Sequence, residues 1–365
     1  MPDVRLFSSL KLRDVTLKNR IVVSPMWQYA GENGFPTDWH LMNLGRLADG
    51  GAGLVFQEGT TVERRGCGTL GDIGIWDDAF IPAMSRLASV MRDNGAVPGI
   101  QLMHAGRKAR QQRPWEGRNL LERSAEIADW DAWEPIAPSA LPMAEGLAPP
   151  REMTLADIAA ITEAFVSATR RAVAAGYEAL ELHAAHGYLL HTFLCEASNQ
   201  RGDAYGGDFA RRARFVLEIV EAVRAAWPQD KPLFVRLSCV DRSGWTMSDT
   251  IQLTRLLVPL GVDVIDCTSG GLKGSPLSTG RPPEYGYQAA YAAELRRETR
   301  VLTAAVGLIV HAEHAERLLA EGAADLIAIG REMIYNPNWP IDAAQKLGVD
   351  AGFGLFAERA AFWLS

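Results

Sequence analysis

Eight short apolar or β-branched runs punctuate the chain: Ile21–Met26, Gly53–Gly59, Val97–His104, Ala179–His183, Leu233–Ser238, Asp263–Ser269, Val301–Gly307 and Leu326–Gly330. Helical patterns separate them. Eight parallel strands, each followed by a helix, are the arithmetic of an α/β fold of the (β/α)8 TIM-barrel type. Such a barrel takes about 250 residues, and insertions bring it to the 365 present here. The helices have readable ends. Thr154 and Asp157 form a capping-box pair that opens a helix with Ile158, Ile161, Phe165 and Ala172 on one side, and Gly176 closes it. Helices are expected after Gly207 and after Ser248 by the same logic.

The spacing breaks once. Between the third and fourth runs, residues 110–151 are rich in Pro, Trp and Ala and show no sustained helical period. A loop of that length in a compact fold is usually functional. It is expected to travel over the top of the barrel as a hairpin that partly lids the site. No linker, repeat or low-complexity tract divides the sequence, so residues 1–365 are expected to form one domain.

The active site of a TIM barrel lies at the carboxyl ends of its strands. Those ends carry Ser24-Pro25-Met26-Trp27-Gln28-Tyr29, Gln57-Glu58-Gly59-Thr60, Gln101 through Lys108, and His183, His186 and Tyr188. Arg236, Asp266 to Gly271, Val306-Gly307 and Gly330-Arg331 complete the ring. On a continuing strand His183 and His186 would face opposite ways, so the chain must turn for both imidazoles to converge. Two neutral ring donors and a phenol suit a site that polarises a carbonyl or nitro oxygen and delivers a proton nearby. The plain alternative is a loop with two satisfied histidines. Arg236 has two readings: a fixed cation for a bound group, or an ion pair inside the barrel. Gly307 and Gly330 allow close backbone approach at the usual phosphate site of such barrels, or are merely turns.

The segment Glu181–Phe215 resembles the old yellow enzyme family of FMN-dependent ene-reductases. The resemblance rests on His183, His186, Gly187, Tyr188 and Leu189, then Ser198, Asn199, Arg201, Asp203, Tyr205, Gly206 and Gly207, then Arg212, Arg214 and Phe215. His104-Ala105-Gly106-Arg107-Lys108-Ala109 is typical of the thermophilic-like branch that includes bacterial xenobiotic reductases. The resemblance runs from about Phe7 to Trp339. It implies that Ser24, Pro25, Met26, Gly59, Gln101, His183, Arg236, Gly307, Gly330 and Arg331 hold FMN. It implies that His183 and His186 bind the oxygen of an electron-withdrawing group, that Tyr188 donates the proton, and that Trp27 and Tyr29 line the substrate pocket. NADPH or NADH is expected as a transient hydride donor. An enone, enal, maleimide or nitro compound then takes hydride from flavin N5 and the proton from Tyr188.

Two positions depart from that branch. Trp27 stands where a cysteine is usual, and an indole there blocks part of the pocket, stacks on substrate or turns away. Gly59 stands for the usual alanine, as compensation for bulk elsewhere. With the pocket altered by Trp27, the alternative activity is an FMN-dependent dehydrogenase acting on an amine or saturated carbonyl metabolite. A barrel that merely stores or senses flavin needs no proton donor and fits the His183/His186/Tyr188 set poorly.

Other features exclude function classes. Gly66 to Gly71 matches the dinucleotide-binding fingerprint letter for letter, but Glu63-Arg64-Arg65 precede it and Asp72-Ile73-Gly74 follow where a helix is required. No zinc-type spacing accompanies His183, His186 and His191, so no metal is expected. A formal charge of −7 argues against a nucleic-acid or anionic-membrane partner. The amino terminus lacks a secretory apolar core, no apolar run spans a bilayer, and four scattered cysteines fit a reducing cytoplasm. The aromatic tail containing Phe362 and Trp363 is expected to reach a neighbouring subunit's pocket in a homodimer or homotetramer.

Overall fold

The computed structural model describes residues 4–125, 127–272, 283–350 and 352–364. All eight expected strands form, the fifth with the bounds of its apolar run and the others a little shorter or longer: β1 (Ile21–Val23), β2 (Leu54–Thr61), β3 (Val97–Met103), β4 (Ala179–Ala184), β5 (Leu233–Ser238), β6 (Val264–Thr268), β7 (Leu302–Ala305) and β8 (Leu326–Ile329). They pair in chain order, all parallel, and β8 closes on β1 through Ile327 and Ile21. The result is a closed eight-stranded (β/α)8 barrel.

Two apolar layers explain why the strands read as unbroken runs. The inner layer, including Val22, Phe56, Ala179, Phe234, Val264 and Ala304, fills the barrel. A hairpin of Leu10–Leu12 against Val15–Leu17 plugs its lower end with the same cluster. The outer layer lies between strands and helices. A strand covered on both faces must be apolar on both, so no alternation survives.

The helix Leu155–Ala175 carries the capping box at Thr154 and Asp157, and ends at Gly176 in the left-handed conformation (φ 88°). The helix expected after Gly207 runs Phe209–Ala226, capped by Asp208. The one expected after Ser248 starts a residue before it: Met247–Leu257, with Thr246 as the cap and Asp249 completing the box.

The excursion 110–151 is better ordered than its sequence implies. An antiparallel bridge joins Gln111 to Leu120, and Ile136–Ala137 pairs in parallel with Arg151–Glu152. Fully buried Trp133 anchors it, donating from Nε1 to the Cys67 carbonyl at 2.9 Å, while the Arg64 guanidinium lies 3.9 Å over its ring. The second half of the Glu181–Phe215 motif ties this excursion down. Arg201 donates to the carbonyls of Pro138 (3.0 Å) and Met153 (2.5 Å), and Asn199 Nδ2 donates to those of Phe193 and Tyr205 at 2.7 Å each.

Candidate active site

Parallel register brings the polar strand residues together at the upper end of the barrel. Gln101 lies beside Glu181, and Arg236 lies between His183 and Asp266. Strand β2 carries a bulge between Gln57 and Gly59, which sets Gly59 beside Gln101. Bulges of this kind re-aim side chains next to active sites.

The turn demanded by the two histidines is present. His183 ends its imidazole run inside β4, and the chain then swings through His186 at φ 57° and Gly187 at φ 73°. A Cβ on Gly187 would lie 2.4 Å from the Gly271 carbonyl oxygen, so glycine is required there. The Lys108 ammonium braces the turn, donating to the carbonyls of His186 (2.6 Å) and Gly271 (2.7 Å). Burial pulls the Lys108 ammonium down to about 8, and nearby Arg107 acts in the same direction.

Hydrogen-bond partners order the imidazole protons. His183 Nδ1 accepts from the Ala185 N–H at 3.2 Å, so the proton of its neutral ring sits on Nε2. That Nε2 faces His186 Nδ1 at 3.3 Å, and His186 Nε2 faces the Thr268 hydroxyl at 3.0 Å. Burial, with the charges of Arg236 and Lys108 close by, holds both imidazoles well below their ordinary range. Both are neutral at physiological pH. The Tyr188 ring packs on His183 at 4.9 Å, and its hydroxyl has no hydrogen-bond partner among the described residues. Burial raises its phenol well above the ordinary range, so it keeps its proton.

Two cavities open here and meet at His186, which lines both. One, of about 380 Å³, is lined by Ser24, Pro25, Met26, Arg236, Gly307, Gly330 and Arg331, together with Thr268, Tyr287 and Gln288. The other, of about 470 Å³, is walled by Trp27, Tyr29, Tyr188 and Lys108, and roofed by the excursion through Gln111, Pro114, Arg118 and Met143.

Trp27 does not turn away. Its indole meets the ring of Tyr188 edge-on at 5.1 Å and that of Tyr29 at 5.8 Å, and its Nε1 donates to the Gly59 carbonyl at 2.8 Å. A Cβ on Gly59 would lie 2.9 Å from that nitrogen. The glycine therefore makes room for the tryptophan.

A model of the NADH:flavin oxidoreductase / NADH oxidase family matches residues 5–349. The chain belongs to this family. An NADPH dehydrogenase of Geobacillus sp. (strain WCH70) is 40% identical over 361 residues, covering 98% of both chains. One of Listeria monocytogenes serotype 4a (strain HCC23) is 41% identical over 348 residues, 94% of this chain and 95% of the relative. Among solved structures, morphinone reductase superposes with a TM-score of 0.78 at 26% identity, over 94% of this chain and 89% of its own. In complex with tetrahydroNAD the same enzyme gives 0.75 at 27% identity, over 94% and 91%. The protein is an FMN-dependent NADPH oxidoreductase of the old yellow enzyme family, with NADPH or NADH as transient hydride donor.

The 380 Å³ cavity fits FMN on grounds internal to the fold. Ser24 Oγ and Arg236 Nε are buried without a hydrogen-bond partner, a costly state that a polar ligand relieves. Gly307 (φ 118°) and Gly330 leave backbone open beside Arg331. The ion-pair reading of Arg236 is met: its Nε lies 3.4 Å from Asp266 Oδ2, and the side chain is also open to the cavity. Burial and Asp266 push the Glu181 carboxyl well above the carboxylate range, so Arg236 is not over-neutralised.

Not every expected residue reaches a cavity. His183 lines neither cavity and stands next to His186, its Nε2 3.3 Å from His186 Nδ1; Gln101 Nε2 donates to Glu181 Oε1 at 2.7 Å, and Gly59 lies beneath Trp27, next to Gln101 and Met103. Trp363 sits on the exposed face of the terminal helix Glu358–Leu364, outside both cavities of its own chain. The fingerprint-like Gly66–Gly71 segment begins in a single 3-10 turn, and its Gly68 and Thr69 line the larger cavity. Lys108 and Thr268 are the site residues whose roles sequence reasoning missed. Each stands in a strand-end segment, but neither residue type announces a contact to a histidine.

Proposed function

We propose that the larger cavity receives activated alkenes, namely enones, enals, maleimides and nitroalkenes, and that the enzyme reduces their C=C bond. One observation carries this reading: His186 lines both cavities, with the neutral imidazole of His183 3.3 Å from it and the protonated phenol of Tyr188, unpartnered among the described residues, packed on His183 and lining the larger cavity. The residues that would hold FMN are Ser24, Pro25, Met26, Arg236, Gly307, Gly330 and Arg331, with Gln101 and Gly59 behind them. When bound, FMN supplies the hydride equivalent for the β-carbon.

The protein's own groups do the rest. His183 Nε2–H donates to the substrate's carbonyl or nitro oxygen. For His186 to donate from Nδ1, its Nε2 must become an acceptor, and the Thr268 hydroxyl is placed to donate to it. Thr268 is free to do so because Ser269 Oγ, 2.7 Å from Gln288 Oε1, also satisfies the amide that Thr268 otherwise contacts. Two donors on one oxygen draw charge away from the alkene. Tyr188 then gives its proton to the α-carbon. A homodimer or homotetramer is required if Trp363 is to contribute to a pocket.

An amine substrate is the weaker alternative, because Lys108 and Arg118 line the cavity and no carboxylate does among the described residues. Anaerobic titration of the yellow holoenzyme with NADPH, then 2-cyclohexenone, tests the reading. Bleaching followed by full recovery of the flavin absorbance is expected; bleaching without recovery overturns the alkene assignment.

A further inference from the structure

Among the described residues, the larger cavity is lined by one cation, Arg118, that makes no ion pair or hydrogen bond. Residues Gln111–Leu120 form a small hairpin, closed by the Gln112 N–H donating to the Asn119 carbonyl at 2.8 Å. Its tip turns through Gly117 (φ 116°) and Arg118 (φ 61°). The left-handed region suits the glycine but is disfavoured by the Cβ of the arginine, so Arg118 holds this position against its backbone preference.

The other described cations nearby are committed. Arg113 pairs with Glu116 at 3.1 Å and donates from Nε to the Tyr29 carbonyl at 3.0 Å. Lys108 is spent on the His186 and Gly271 carbonyls. Arg118 forms no ion pair or hydrogen bond among the described residues, yet it lines the cavity, and its charge acts on the hydroxyls of both Tyr29 and Tyr188. The buried carboxylate of Asp72 is turned to the Gly68 N–H (2.7 Å) and the Thr69 hydroxyl (2.6 Å). Trp27 and Tyr29 line the same cavity as the arginine and belong to a run of inclined aromatic rings. Trp27 meets Tyr29 at 5.8 Å, and Tyr29 meets Trp115 at 5.7 Å, edge to face.

We propose that Arg118 is a specificity residue that anchors an oxyanion, a carboxylate or phosphate, on a conjugated molecule lying against the Trp27–Tyr29 wall with its reacting oxygen at His183 and His186. A guanidinium forks across two oxygens of such a group, and that of Arg118, on the exposed hairpin tip, is open to an incoming molecule. The inference rests on the substrate assignment for this cavity made above. The oxyanion has two sources, a carboxylate on the alkene substrate or the phosphates of the nicotinamide dinucleotide, because both molecules enter the same space.

The test titrates the holoenzyme with 4-hydroxybenzoate and with 4-hydroxybenzamide, which share ring and phenol but differ in charge, followed by tryptophan fluorescence. The affinity ratio of benzoate to benzamide is expected to fall about tenfold in Arg118→Ala and less in Arg118→Lys, which keeps the charge without the fork. In parallel, the KM for NADPH is compared with that for the uncharged donor 1-benzyl-1,4-dihydronicotinamide. A tenfold rise in their ratio in Arg118→Ala, with the benzoate ratio unmoved, assigns the oxyanion to the dinucleotide. If neither ratio moves, the proposal is overturned. The binding arm needs no turnover, so a failure of the alkene assignment is read separately, in the response of the wild-type holoenzyme to 2-cyclohexenone.

Discussion

Trp27 and Gly59 are a matched pair. The indole N–H of one donates to the carbonyl of the other at 2.8 Å, and a Cβ on Gly59 would stand 2.9 Å from that same nitrogen. Where the family branch has a small thiol opposite an alanine, this chain has an indole opposite no side chain.

Gly59→Ala is therefore expected to destabilise the protein by about 1–3 kcal/mol through overpacking. In a Trp27→Ala background the cost should shrink to a few tenths of a kcal/mol, since the obstructing ring is gone. A double-mutant cycle on urea unfolding of the two single variants and the pair measures this. Equal costs in both backgrounds would break the pairing.

Tyr188→Phe removes the proton but keeps the ring on which Trp27 and His183 pack. Reoxidation of the reduced enzyme by 2-cyclohexenone should slow by about 100-fold or more. Stopped-flow absorbance reads that step alone. Full-speed reoxidation with a slow substrate would remove Tyr188 from the proton-donor role.

Thr268→Val leaves the shape but removes the hydroxyl 3.0 Å from His186 Nε2. His186 then loses the partner that lets Nδ1 donate. The expected cost is about tenfold in kcat/KM for 2-cyclohexenone, roughly one hydrogen bond. Thr268→Ser should restore it, and a serine variant as slow as the valine one would contradict the relay.

Lys108 supplies the pH dependence. In the folded protein its ammonium is pulled down to about 8, against 10.5 for the ordinary group. As pH rises through 8 the brace on the His186 carbonyl loses its charge, and kcat/KM should fall by up to tenfold between pH 7 and 9. Stability moves the other way. Between about 8 and 10.5 the unfolded chain holds the proton that the folded chain has released, so this group's contribution to stability rises with pH. Activity is thus lost without a matching loss in Tm. Lys108→Arg, whose guanidinium stays charged, should flatten the inflection. An unchanged profile in that variant would place the titration elsewhere.

The barrel was legible because each strand is buried on both faces, which leaves eight continuous apolar runs that no other common fold spaces in this way. Helix ends were legible where a cap is chemical, as at Thr154 and Gly176, and shifted slightly at Thr246, the cap, which lies two residues before Ser248. The convergence of His183, His186 and Tyr188 was legible, because their chemistry is unusual and their spacing forces a turn. The bulge beside Gly59 was not, since a bulge leaves no mark in residue type.

Residue chemistry and local spacing mark out an eight-stranded barrel and two imidazoles beside a phenol, and the resemblance to the old yellow enzyme family implies the flavin cavity. Contacts across the barrel top do not follow from spacing. That Lys108 holds the carbonyl of His186, 78 residues away, depends on how separate strand ends close upon one another. The same holds for Thr268 and His186, for Gly59 beneath Trp27, and for the Arg201 that fastens a loop rather than a ligand. Such contacts link residues distant in sequence through parallel register and barrel closure, and both are set when the sheet closes around its core.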